Sequence, residues 1–170
     1  MKKLFKPSVF LILTMMVVGC TPTPQPINFG GDLCEHCRMM VTDAQFGSQI
    51  LNKQSKSFKF DSVECMVAYD LKNPDPENVH SRWVPDFSNP EVWVEAEKAF
   101  YLHSEQLRSP MGMFLSAYET EAAARVLQAD YGGQIIGYED VLNLVKTEWI
   151  DAKKETSGSM KVDKSHAKKH

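Results

Sequence analysis

Phe58 and Phe60 alternate with polar neighbours in SFKF, the period-two pattern of a half-buried strand. FGSQIL before it reads as the paired strand, across the polar turn NKQSKS. Val63, Met66, Val67 and Leu71 then recur at helical spacing, with Asp61 and Glu64 predicting a D-x-x-E capping box at the helix start. NPDPEN at 73–78 ends that helix. RWVPDFSNP at 82–90 reads as irregular chain anchored by Trp83 and Phe87, while EVWVEA, AFYLHS and MGMFLSAYE (111–119) read as short strands. A helix capped by Thr120 is predicted to run through Tyr131, burying Ala123, Val126, Leu127 and Tyr131 and stopping at Gly132-Gly133. QIIGY is a further strand, and Tyr138, Val141, Leu142, Val145 and Trp149 stripe a closing helix.

The strand-to-helix turn Phe60-Asp61-Ser62-Val63 has an echo in Tyr138-Glu139-Asp140-Val141. Each is preceded by a methionine cluster, Met39-Met40 in one case and Met111-x-Met113 in the other. The expectation is an α+β fold of two similar small ββα-type halves, about 32–95 and 96–150, whose methionines meet. A chain of 170 residues suits one such domain.

The ends read differently. Lys2, Lys3 and Lys6 followed by the short apolar run Val9 to Val18 fit a secretory signal over residues 1–19, too short for a convincing membrane span. Val17-Val18-Gly19-Cys20 resembles a bacterial lipobox, with Cys20 as the lipidated first residue of the mature protein. Residues 20–31 form a Pro-rich stalk, and 151–170, rich in Lys, Ser and His, are expected to be a disordered tail. The expected location is therefore the periplasmic side of a membrane, with Thr21 allowing outer-membrane attachment.

Loss of residues 1–19 removes three lysines and moves the formal charge from −3 to about −6, so no basic footprint argues for nucleic acid. No Ser/His/Asp set, phosphate loop or carboxylate pair in acid–base spacing is present, and the expectation is that the protein is not an enzyme. The chemistry lies in sulfur. Cys34-Glu35-His36-Cys37-Arg38-Met39-Met40 places two thiols, an imidazole and two thioethers in seven residues. Cys65, on the side of its helix away from the apolar stripe, is a third thiol free to face a site, whereas Met66 lies on the stripe.

A C-x-x-C serves as a dithiol redox pair, as half of a zinc site, or as a soft-metal site. Zn(II) wants four N/S ligands and the sequence shows no second C-x-x-C or H-x-H pair. Thioethers are poor zinc ligands but suit Cu(I), so methionine enrichment favours Cu(I). The candidate ligands are Cys34, Cys37 and Met39 as one arm and Met111 and Met113 as the other, with Cys65 and His36 ranked second. A thiol–disulfide oxidoreductase using Cys34 and Cys37 is the rival from another class, and it leaves the Pro110-Met111-Gly112-Met113 segment without a task. A structural lipoprotein with an inert disulfide is a third reading.

Cys34-x-x-Cys37-x-Met39, Phe60-Asp61-x-x-x-Cys65-Met66 and Ser109-Pro110-Met111-Gly112, all behind a lipobox, together resemble the NosL family over roughly residues 30–148. That family comprises lipoprotein accessory factors for the copper centres of nitrous-oxide reductase. The resemblance implies an α+β fold of two halves, distantly like the N-terminal part of organomercurial lyase. It also implies Cu(I) binding and delivery to an ABC-type membrane maturation complex (NosD, NosF and NosY) that serves the reductase. One departure concerns the residue after the second cysteine, usually glycine in the family and here Arg38.

Overall fold

The structure, a computed structural model, describes residues 21–152. The expected signal segment 1–19, Cys20 and the tail beyond Ala152 lie outside the described residues. Strand β1 (Ser48–Asn52) pairs antiparallel with β2 (Ser57–Phe60), as the alternation predicted, and on its other side with β3 (Val79–Asp86). Adding β4 (Asn89–Glu95) completes a four-stranded sheet of order β2-β1-β3-β4. A second sheet has the order β6-β5-β7, built from β5 (Phe100–His103), β6 (Leu115–Tyr118) and β7 (Gln134–Ile136). Helix α1 (Val63–Lys72) follows β2, α2 (Glu121–Tyr131) follows β6, and α3 (Tyr138–Leu144) follows β7. The fold is α+β, and each half opens β-β-α.

That order relocates the internal echo. The counterpart of Phe60-Asp61-Ser62 is Tyr118-Glu119-Thr120, an aromatic strand end, an acid and a hydroxyl N-cap in both halves, and not the segment 138–141. Ser62 Oγ accepts from Cys65 N at 3.4 Å and Thr120 Oγ1 from Ala123 N at 3.2 Å, relieving one orphan N–H at each helix start. The cap of α1 is therefore Ser62 rather than Asp61, which leaves the Asp61 carboxylate available for other contacts.

The structure also differs from the sequence reading at three other places. RWVPDFSNP is a hairpin: Asp86 Oδ1 accepts from Ser88 N and Asn89 N and so builds the turn joining β3 to β4. Asp86 Oδ2 accepts from Glu119 N at 2.7 Å and Phe87 N donates to Ala117 O, so this turn also fastens the two halves. Residues 111–114 are a loop and not strand, with Gly112 (φ 78°) and Phe114 (φ 59°) in the left-handed region. In α2 the buried residue is Ala124, packed with Ala123 and Leu127, while Val126 is 63% exposed and Tyr131 exposed, because the narrow second sheet covers only a thin stripe. A π-helical segment, Val145–Asp151, continues α3 one residue past the expected domain end at 150.

The principal core joins both halves: Phe60, Met66, Val67, Tyr101, Leu115, Val141 and Val145 are buried together with Cys34 and Cys65. Gly133 is required where β7 approaches β5. Its φ is 92°, and a Cβ there would meet the His103 carbonyl.

Candidate metal centre

The loop carrying Cys34 and Cys37 is tied down before it reaches β1. Cys34 N donates to Met39 O at 2.8 Å, Arg38 N to Cys34 O at 3.0 Å, and Glu35 N to Lys59 O on β2 at 2.9 Å. Lys59 Nζ pairs with Asp32 at 2.6 Å, anchoring the same loop to β2 from the other side. The chain then passes along β2 into Asp61 and the first turn of α1, where Cys65 sits. The loop and the strand-to-helix turn converge: ligand atoms of Cys34, Cys37, Asp61 and Cys65 all lie within 4.8 Å of one another.

This centre is buried. Cys34 and Cys65 are 0% exposed, Asp61 is buried and Cys37 is half-buried, and all three cysteines are free thiols. The Cys65 S–H donates to Cys34, which with backbone N–H groups of Cys37 and Asp61 outweighs burial and holds the Cys34 thiol down at about 6. Burial pushes Cys37 up to about 11, reinforced by the neighbouring Cys34 and Asp61 charges. Cys65 is displaced upward, since ionising it removes its bond to Cys34. Of the three thiols Cys34 is thus the one favoured to ionise first, and Cys37 Sγ donates to Asp61 Oδ2 at 3.4 Å. Asp61 Oδ1 is buried without a hydrogen-bond partner, a cost of about 1–3 kcal/mol that a cation beside it would offset.

The donor set therefore exceeds what the local motif shows. The sequence offers no second C-x-x-C, but the tertiary structure supplies Asp61 and Cys65 as third and fourth donors. Ligand number by itself thus does not exclude Zn(II), for which thiolate and carboxylate are both ordinary ligands.

The other candidate residues surround the four donors. Met111 and Met113 are half-buried against the core that contains Cys34 and Cys65. Their loop is fixed by Ser109, whose Oγ accepts from Phe114 N at 2.9 Å and donates to Glu64 Oε1 at 2.5 Å. Met39 and Met40 are 57% and 50% exposed, on a cleft of about 380 Å³ that Ser109 and Pro110 also line. Met111 and Met113 are not among the residues that line this cleft. The His36 ring packs edge-on to Trp149, centroids 5.5 Å apart, and His36 is not among the four converging donors. Met66 is core, as its place on the apolar stripe predicted.

Two functional candidates escaped the sequence reading, Asp61 and Glu64, because both were assigned to a capping box. The signal that could have separated them is Ser62, an equally good cap that makes Asp61 redundant in that role.

A family model, NosL, matches residues 27–145, a span that contains both sheets and every donor of the centre. The chain belongs to the NosL family. The crystal structure of the copper chaperone NosL from Shewanella denitrificans superposes with a TM-score of 0.60 at 19% identity, covering 69% of this chain and 94% of that one. That likeness extends to the fold. No curated protein matches the chain. Arg38 adopts φ 64°, a left-handed conformation that costs a non-glycine residue about 1 kcal/mol.

Proposed function

We propose that this NosL-family chain is a Cu(I) chaperone, tethered to a membrane by lipid on Cys20 and facing the periplasm, that delivers copper by ligand exchange for maturation of nitrous-oxide reductase or a related copper enzyme. The observation that carries the reading is the convergence of three thiols and Asp61 within 4.8 Å. Cys34, Cys37 and Cys65 are the sulfur donors that suit a soft monovalent ion, and Met111 and Met113, packed against the core that contains Cys34 and Cys65, are thioethers that oxidation to a disulfide cannot remove. Cys37, the half-buried member, is the one through which a recipient's sulfur joins the ion and displaces the protein's donors in turn.

The oxidoreductase reading has the geometry against it. Its attacking thiol must be both ionised and accessible, whereas the low-pKa thiol here, Cys34, is fully buried. The lipobox at Cys20 and the Pro-rich stalk support attachment by acyl chains, and no helix among the described residues is long and apolar enough to cross a membrane. The recipient we assign is the ABC-type maturation complex (NosD, NosF and NosY), the partner implied by the resemblance of the motifs.

Anaerobic Cu(I) titration of the reduced protein against a competing chelator tests this, with Zn(II) and Cu(II) as controls. One tight equivalent of Cu(I), weakened by Cys37→Ser and by Met111→Ala, is expected. Unchanged affinity in both variants would sink the assignment.

A further inference from the structure

The cleft beside the centre has a composition that storage of an ion does not require. Met39, Met40, Thr42, Arg108 and Pro110 line it, and so does Asp61. Asp61 belongs to the donor group, so the cleft reaches one of the four converging donors. Its Oδ1 is buried and has no hydrogen-bond partner, the mark of a polar group placed for a ligand.

Met39 and Met40 differ from the other described methionines. Met66 is fully buried and Met111 and Met113 are half-buried, but these two neighbours are 57% and 50% exposed. Their backbone is nonetheless fixed: Met39 O accepts from Cys34 N, and Met40 bridges to Leu33. Two exposed thioethers are thus carried on backbone anchored to the Cys34 loop, at a sacrifice of about 0.8 kcal/mol for each CH₂ left in water. A pair of leucines would sacrifice as much and bind nothing. Methionine adds a soft, neutral donor that exchanges ligands readily.

We propose that this cleft is the route by which Cu(I) reaches the centre, with Met39 and Met40 as capture thioethers at its mouth and Asp61 as the oxygen donor on the way to Cys34. The inference rests on the Cu(I) reading above and assigns Met39 to capture instead of residence. Each step is a ligand exchange. A bond from Cu(I) to its carrier breaks as a bond to the Met39 or Met40 sulfur forms, and that bond is then exchanged for one to the Cys34 sulfur. The ion stays Cu(I) throughout, no electron is transferred, and any thiol proton displaced leaves to water.

The test is stopped-flow uptake from the coloured Cu(I)–bicinchoninate complex by the whole chain in detergent, beside an equilibrium titration with the same reagent. Met39→Leu/Met40→Leu keeps side-chain volume at exposed positions and leaves the fold intact. The double variant is expected to slow uptake on the order of ten-fold while equilibrium affinity stays within about two-fold. An unchanged rate in the double variant overturns the route and leaves the chaperone reading standing. Affinity that falls in proportion to the rate also overturns it, because the two methionines are then resident ligands. A wild-type chain that takes up no Cu(I) overturns the chaperone reading and the route together.

Discussion

Ser109 Oγ donates to Glu64 Oε1 at 2.5 Å, a buried bond across 45 positions of sequence that ties the loop of Met111 and Met113 to the helix of Cys65. Glu64 is 0% exposed, and its other oxygen has no hydrogen-bond partner. Burial raises its pKa, with the neighbouring Asp61 charge adding to the effect. A carboxyl raised in the folded state supports stability below its unfolded value of 4.5, and loses that support as pH rises through the folded pKa. Glu64→Gln should therefore gain stability relative to wild type as pH rises from acid to neutral. Ser109→Ala removes the Ser109 hydrogen bond from a buried carboxyl and should cost about 1–3 kcal/mol. Chemical denaturation across that pH range measures both. A Glu64→Gln difference that does not vary with pH would contradict the raised carboxyl.

The Cys65–Cys34 hydrogen bond sets which thiol is ionised. In metal-free protein, the ultraviolet thiolate absorbance should show one group titrating near 6 and a second near 11. Cys65→Ala removes the donor and should move the first transition upward. Because the Cys34 pKa is lowered from 9.0, its contribution to stability is present above that value and is lost as pH falls through about 6. Cys37 acts in the opposite sense, weakening the fold as pH rises from 9.0 through about 11.

Asp61 is the one hard donor among the four. Asp61→Asn should lower Zn(II) affinity on the order of 10- to 100-fold and Cu(I) affinity much less, since a carboxylate serves the harder ion. Parallel competition titrations with the two ions check this, and equal losses for both would show that Asp61 does not discriminate between them.

At position 38 the cost is in the backbone. Arg38→Gly and Arg38→Ala both lose the exposed 3.1 Å pair with Glu35, which contributes little. Only glycine is at ease with φ 64°, so Arg38→Gly should exceed Arg38→Ala in stability by about 1 kcal/mol. Thermal melts of the two variants measure the difference directly.

Much of this arrangement is legible along the chain. The alternation of Phe58 and Phe60, the stripe of Val63, Met66 and Val67, and the Thr120 cap with its Gly132 stop are local signals that the fold obeys. The β3–β4 hairpin is not legible, because Pro85 reads as a strand breaker until Asp86 is seen making its turn. The loop at 111–114 reads as strand until the left-handed Gly112 and Phe114 are seen.

The site divides in the same way. By itself the sequence determines that Cys34, Cys37 and Met39 stand close together, because four or five residues of chain cannot separate them far. It also determines that Cys65 lies off the apolar stripe of its helix. Only the tertiary structure decides that Asp61 joins the three thiols, that Met39 and Met40 are left in solvent, and that Ser109 reaches Glu64. These relations join loops, strand ends and helix starts that the backbone pattern leaves unrelated. They exist because two sheets share one core, and shared burial, unlike hydrophobic periodicity, is a property of the packed chain and not of any window within it.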